Sequence, residues 1–140
     1  VRAQYLLFFI FNLQIMIRNL LFIGLGGVVG SVARYLVSRL NIYFDFYSLP
    51  IGTLLVNVLG SFLIGLLTGI ADKSAILTVE WRMFLMVGLC GGFTTFSTFS
   101  SENLMLLHNG QYLSIILYTG LSIFLGFTAV FFGFVTSNLL

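Results

Sequence analysis

Charged side chains are rare in this chain of 140 residues: Asp, Glu, Lys and Arg make up 7% of it, whereas 59% is hydrophobic. A soluble domain of this length carries about a quarter charged residues, so the deficit indicates an integral membrane protein. The formal net charge of +2 is too small to indicate a nucleic-acid partner. The expected surroundings are therefore a lipid bilayer.

Cysteine, histidine and proline occur once each. The single cysteine, Cys90, excludes a disulfide within the chain and a cysteine-based metal cluster. The single histidine, His108, excludes a histidine-rich metal site within one subunit and lies in a predicted turn with Asn109 and Gly110. Because Glu102 is the only acid inside a predicted span, the serines and threonines have no base to activate them, and the sequence argues against an enzyme.

A transmembrane helix needs about 20 predominantly apolar residues, and four segments of this chain meet that requirement. They are predicted at residues 19–40, 51–71, 81–107 and 112–135. Residues 16–140 are therefore predicted to form a single four-helix membrane domain. Residues 1–15 are also apolar, and two interpretations stay open for them: an extension upstream of a usual start at Met16, or a short signal-like or interfacial helix.

The third predicted span has a polar centre, residues 88–102, with the sequence GLCGGFTTFSTFSSE. Gly91 and Gly92 favour a break in the backbone. Hydroxyl side chains follow at Thr94, Thr95, Ser97 and Thr98. Irregular backbone at membrane depth persists only where protein or a water-filled path covers it, and a broken helix directs its free N–H and C=O groups at one point. We therefore predict an all-α integral membrane protein whose third helix is broken at mid-membrane around a transport site.

The first two spans carry small and polar residues at helical spacing. Gly26 and Gly30 form a pair that allows close approach of another helix. One face of the second span carries Thr53, Asn57, Gly60, Ser61, Gly65 and Thr68. The Asn57 amide offers both donors and an acceptor inside the membrane, where it either bonds a neighbouring helix or lines a path.

The polar groups around the third span favour a small anion over a cation. Amide and hydroxyl donors are abundant, no basic residue lies at mid-depth, and Glu102 lies away from the expected break. Phe96 and Phe99 lie about one helical turn apart beside Thr95 and Thr98, and a phenyl ring presents a weakly positive edge. A path without full positive charge binds an anion weakly enough to release it.

Three motifs carry a resemblance to a known family. They are GGVVGSVARY at 26–35, GTLLVN at 52–57 followed by GSF at 60–62, and GLCGGFTTFSTFS at 88–100. Over residues 16–138 the chain closely resembles the CrcB/Fluc family of fluoride channels. The resemblance implies an antiparallel, dual-topology homodimer in the inner (plasma) membrane. Two pores in that dimer would export fluoride passively and lower its cytoplasmic concentration.

The resemblance also implies roles for individual residues. Asn57 would line the pore vestibule, and Phe96 and Phe99, from opposite subunits, would form a phenylalanine box. The family's other pore-side positions match Thr95, Thr98, Tyr118 and Ser122, with Glu102 near one pore end. Backbone carbonyls of Gly91 and Thr94 would hold a structural sodium ion at the dimer centre, and Arg34 matches a structural arginine. The chain departs from some relatives at Gly126, where they carry a hydroxyl residue.

Lysines and arginines are nearly balanced between the two ends of the spans, as insertion in both orientations requires. Arg18, Lys73 and Arg82 lie on one side, and Arg34 and Arg39 on the other. A small proton-coupled drug exporter is an alternative of the same size, but it needs a membrane-embedded acid in its first span, and residues 19–40 contain none. A purely structural membrane protein is the other alternative, and it leaves the polar third span unexplained.

Overall fold

The computed structural model describes residues 2–42, 49–73 and 77–139, and every regular element within those ranges is helical. Helix α1 is Arg2–Ser38 and continues into a 3-10 turn, Arg39–Ile42. Helix α2 is Ile51–Lys73. Helix α3 consists of three successive pieces: Val79–Arg82, the π-helical Met83–Cys90, and Gly91–Phe93. Helices α4 and α5 are Phe96–His108 and Tyr112–Ser137.

Four helical segments are long and apolar enough to cross a membrane, which confirms the predicted number of spans. They are Gln4–Ile42, Ile51–Lys73, Val79–His108 and Tyr112–Ser137. The third of them contains both α3 and α4. The last three segments begin and end within a few residues of the predicted spans, because turn or charged residues flank each apolar run.

The first helix starts much earlier than predicted. The expected span began at Asn19 because Arg18 and Asn19 interrupt the apolar run, but α1 is continuous from Arg2. Arginine is a good helix former, so Arg18 does not end the helix, and its guanidinium pairs with Glu80 at 2.8 Å. The side chains at the start of α1, from Tyr5 to Phe11, are exposed in the protomer.

Glycines bring α1 against α3. A Cβ atom added to Gly26 would collide with the Phe84 carbonyl oxygen, and one added to Gly30 would collide with the Leu89 carbonyl oxygen. From the opposite side, a Cβ on Gly92 would lie 2.7 Å from the Gly27 carbonyl oxygen. The two backbones therefore touch along this crossing, as the small-residue pair on the first span predicts.

Helices α2 and α5 pack in the same way. A Cβ on Gly65 would collide with the Val130 carbonyl oxygen, and one on Gly133 with the Phe62 carbonyl oxygen. Near the end of this pair the Lys73 ammonium donates a hydrogen bond to the Ser137 carbonyl at 3.0 Å. A cation at the last carbonyls of a helix satisfies groups that have no partner within the helix.

A tight turn joins α4 to α5, as predicted. Gly110 has φ of 70°, a conformation that suits glycine, and the Gln111 N–H donates to the Leu106 carbonyl at 2.9 Å. His108 is the exposed last residue of α4 rather than a residue of the turn itself.

Candidate ion path

Two residues between α3 and α4 have extended backbone. Thr94 has φ −75° and ψ 156°, and Thr95 has φ −151° and ψ 117°. The sequence placed irregular backbone at Gly91 and Gly92, and that assignment is wrong because both glycines are helical. Gly92 serves instead to let α3 approach the backbone of α1, which any side chain at that position would prevent.

The side chain of Asn57, on α2, holds the extended residues. Its Oδ1 accepts a hydrogen bond from the Thr95 N–H at 2.8 Å, and its Nδ2 donates to the Thr95 carbonyl at 3.2 Å. The amide thus satisfies the N–H of a buried residue that has no helical partner, and it adds a bond to the Thr95 carbonyl, which as an N-cap carbonyl also accepts the first bond of α4. The sequence left two roles open for Asn57, bonding a neighbouring helix or lining a path. The structure shows that Asn57 bonds the segment between α3 and α4.

Thr95 also caps the start of α4. Its hydroxyl oxygen accepts from the Thr98 N–H at 3.2 Å, and the hydroxyl donates to Thr98 Oγ1 at 2.9 Å. This is the usual role of a threonine at a helix N-cap. The cap fixes the hydroxyls of Thr95 and Thr98 side by side on the first turn of α4.

These bonds redirect two donors that a continuous helix would use elsewhere. In an α-helix the N–H of residue i pairs with the carbonyl of residue i−4. The Thr95 N–H would then meet the Gly91 carbonyl, and the Thr98 N–H would meet the Thr94 carbonyl. Asn57 and the Thr95 hydroxyl take those donors instead. The two carbonyls released are those that the resemblance assigns to sodium.

A groove of about 470 Å³ lies over the extended residues. Seven residues of the predicted site line it: Asn57, Gly91, Thr94, Thr95, Phe96, Phe99 and Ser122. Its other polar lining residues are Ser61 and the thiol of Cys90. The groove therefore brings together α2, the end of α3, the start of α4 and the middle of α5, and none of its described lining residues is charged.

The two phenylalanines in this groove differ in their surroundings. The Phe96 side chain is 80% exposed, and its ring centroid lies 5.8 Å from that of Phe99. The Phe99 ring also packs on Tyr118, with centroids 5.1 Å apart, and belongs to the shell of a small core cluster. Phe99 is thus anchored within the protomer, whereas Phe96 is free on one side.

A second groove, of about 340 Å³, is also lined by Thr95. Its polar lining includes the Thr53, Ser97 and Thr98 hydroxyls together with Arg34. The Arg34 guanidinium makes no ion pair with a carboxylate among residues 2–42, 49–73 and 77–139. Thr95 therefore lines both grooves. One of them contains the Arg34 cation with hydroxyl neighbours, and the described lining of the other is polar but uncharged.

Glu102 and Tyr118 are brought together behind residues that line the grooves. The carboxylate accepts hydrogen bonds from the Tyr118 hydroxyl and the Thr53 hydroxyl, each at 2.7 Å, and from the Asn41 amide at 3.4 Å. Tyr118 is 1% exposed. This cluster ties α2, α4 and α5 to the turn after α1, and neither residue lines either groove in the part of the chain described.

Comparison with protein families gives a clear match. The model of the CrcB-like protein family, camphor resistance (CrcB), matches residues 21–134, which is well over half of the chain. This chain belongs to the CrcB family. The prediction made from the three sequence motifs is confirmed.

Curated relatives of this CrcB chain carry the name "Fluoride-specific ion channel FluC". One from Azobacteroides pseudotrichonymphae is 40% identical over 123 residues, covering 88% of this chain and 98% of the relative. One from Leptospira interrogans is 44% identical over 116 residues, covering 83% and 91%. One from Campylobacter jejuni is 44% identical over 121 residues, covering 86% and 98%. The CrcB chain is accordingly a multi-pass protein of the cell membrane and not an enzyme.

Two polar lining residues of the CrcB groove, Ser61 and Cys90, are not among the predicted site residues. Ser61 belongs to the polar face predicted on the second span. Ser61 lies four residues after Asn57, so both side chains are on the same side of α2, and this spacing could have indicated that Ser61 lines the site. The local sequence does not show which helix packs against that side of α2.

Proposed function

We propose that this CrcB protein is a fluoride-selective channel through which fluoride leaves the cytoplasm passively. The observation that carries the proposal is the meeting of two grooves at Thr95, one with Arg34 and hydroxyls, the other with uncharged donors and phenylalanine rings. The name of the curated relatives supports fluoride as the ion. Export down the gradient would lower the fluoride concentration in the cytoplasm.

The electrostatics of the two grooves support an anion. Arg34, which has no carboxylate partner among the described residues, would attract anions to the mouth of the path, and the attraction is stronger where water is partly excluded. Beyond Thr95, fluoride would exchange part of its hydration for hydroxyl donors and the positive edges of phenyl rings. Neutral ligands of this kind leave binding weak enough for the ion to move on.

We assign the pore as follows. Asn57, Thr95, Phe96, Phe99 and Ser122 line its uncharged part, and Thr98 lies on the side of Arg34. Glu102 and Tyr118 would support one end of the pore through their buried hydrogen-bonded cluster. In this proposal the extended residues Thr94 and Thr95 break the third membrane helix at mid-membrane.

Fluoride conduction is tested by reconstitution. Liposomes that contain the purified protein and are loaded with fluoride are expected to release it once an ionophore balances the charge. Chloride is expected to leave far more slowly, because the smaller fluoride ion accepts stronger hydrogen bonds from the hydroxyl and amide donors of the path. A fluoride electrode and a chloride electrode measure the two rates, with protein-free liposomes as the control. Equal efflux of chloride, or a requirement for ATP, would refute a passive fluoride channel.

The proposal includes an antiparallel homodimer with two pores. The groove is open on the side of Phe96, and a second copy would cover that exposed ring and bring its own Phe99 to the path. The distribution of cations supports both insertions, because Arg18, Lys73 and Arg82 at one end of the spans nearly balance Arg34 and Arg39 at the other. This balance gives little preference for one orientation.

Orientation is tested by adding charge. Lysines appended after Leu140 are expected to bias insertion toward one orientation and to reduce fluoride efflux when that variant is expressed alone. Co-expression with a variant biased the opposite way should restore efflux. Unreduced efflux from a population shown by labelling to be inserted in one orientation would contradict the antiparallel dimer.

A structural sodium ion at the dimer centre completes the proposal. The Gly91 and Thr94 carbonyls lose their helical donors to Asn57 and Thr95, and carbonyls at such interruptions suit sodium. Two protomers would supply the same pair of oxygens from opposite sides. The ion would cross-link the extended residues of both subunits without adding charge to either pore.

Sodium removal tests this part separately. Exchange of sodium for a large organic cation is expected to lower the thermal stability of the dimer and its fluoride efflux, because four carbonyl oxygens would face each other without a cation. Atomic emission of the exchanged protein must verify that the ion has left. An exchanged dimer that keeps its melting temperature and its efflux would show that no sodium is required.

A further inference from the structure

Several hydroxyl groups on these membrane helices bond their own backbone. Seven serine and threonine hydroxyls donate to a carbonyl three or four residues earlier, at 2.6–2.9 Å: those of Ser38, Thr68, Thr94, Ser100, Thr128, Thr136 and Ser137. This is how a hydroxyl is satisfied in apolar surroundings. A groove hydroxyl that makes no such bond is therefore available to something else.

Two hydroxyls of the uncharged groove are exceptions. The Ser122 hydroxyl on α5 is buried and makes no hydrogen bond within the described residues. The Ser61 hydroxyl on α2 lines the same groove and also makes none with residues 2–42, 49–73 or 77–139. Ser61 lies one helical turn beyond Asn57, so it extends the line of polar side chains along α2.

Gly126 leaves room beside Ser61. A Cβ atom at position 126 would meet only the Ser61 hydroxyl oxygen within 4 Å, at 3.8 Å. Gly126 lies four residues after Ser122, where a hydroxyl on α5 would continue the line of Tyr118 and Ser122. This chain has no side chain there, and the nearest polar group is the hydroxyl of Ser61 from the facing helix.

We infer that Ser61 is a pore residue of this channel and supplies, from α2, the hydroxyl that α5 lacks at position 126. Fluoride passing Ser122 would then receive its next hydrogen bond from Ser61 rather than from the fourth span. The inference rests on the proposed function and adds one residue to the path. It also explains why neither the Ser61 hydroxyl nor the Ser122 hydroxyl is bonded to a helix carbonyl.

Liposome efflux of fluoride tests the role of Ser61. Ser61→Ala is expected to reduce the rate about fivefold to tenfold, the effect of one lost hydrogen bond to a passing ion. The double variant Ser61→Ala with Gly126→Ser returns a hydroxyl to the same part of the groove from the opposite helix, and it is expected to recover most of the rate. Thr68→Val is the matched control, because the Thr68 hydroxyl lies on the same helix and bonds the Ile64 carbonyl at 2.7 Å. Its efflux should stay close to the parent rate.

The outcomes separate this inference from the proposed function. Efflux of Ser61→Ala close to the parent rate would overturn the pore role of Ser61, while leaving a fluoride-conducting parent. A dimeric Ser61→Ala variant whose lost efflux is not recovered by Gly126→Ser would also overturn it, since a hydroxyl at this point would then not be the requirement. Absence of fluoride efflux from the parent would instead refute the proposed function itself.

Discussion

Phe96→Ile is expected to cut fluoride efflux at least about tenfold while the protein remains a folded dimer. Isoleucine keeps an apolar side chain of comparable bulk beside the extended residues but has no aromatic ring. The positive edge of that ring is the feature of Phe96 that suits an anion partly stripped of water. Loss of the edge raises the barrier to passage without altering the hydroxyls on either side.

The position of Phe96 makes this substitution a clean test. Its side chain is 80% exposed in the protomer, so its removal costs little within the subunit. A volume-conserving apolar exchange usually costs less than about 1.5 kcal/mol even in a core. Phe99 would be a poorer choice, since its ring packs on the buried Tyr118.

The control is Phe127→Ile on α5, where the phenylalanine is 77% exposed and does not line the groove. Its efflux should match that of the parent. Gel filtration must show that each variant stays dimeric. Parent-like efflux from dimeric Phe96→Ile would remove the ring from the mechanism, and loss of the dimer would make Phe96 a packing residue of the interface.

The sequence predicts the four membrane helices well because each depends on a local property, the length of an apolar run. The start of α1 is the exception. The polarity of Arg18 predicts the edge of the apolar span, but arginine is a good helix former and the backbone helix continues through it. An apolar run therefore predicts a membrane span better than it predicts where the helix begins.

The centre of the candidate site shows the same limit. Glycine content pointed to Gly91 and Gly92 as the irregular residues, whereas the extended backbone is at Thr94 and Thr95. The decisive group is the Asn57 amide, which lies on another helix. A glycine in a sequence indicates either an irregular backbone or a close contact with another helix. Which of the two applies depends on the helix that packs against it, and the local sequence does not show that helix.

Asn57→Ala is the second substitution with a large expected effect, and it should destabilise the protein as well as stop efflux. Alanine leaves the Thr95 N–H without a partner at a buried position and removes one bond to the Thr95 carbonyl. An unsatisfied buried polar group costs about 1–3 kcal/mol. That is a substantial part of the roughly 5–15 kcal/mol by which proteins are stable.

The thermal unfolding of purified protein in detergent measures the loss, and Asn103→Ala supplies the comparison. The Asn103 amide donates to the Phe99 carbonyl of its own helix at 2.9 Å and accepts from the Thr119 hydroxyl at 3.1 Å. Its removal leaves no unpaired N–H between two helices and should lower the melting temperature much less.

If Asn57→Ala stops efflux but unfolds at the parent temperature, Asn57 acts on the ion directly. If the melting temperature falls with the efflux, Asn57 acts by holding Thr95 extended. We expect the second result, because both polar functions of the amide are already bonded to Thr95.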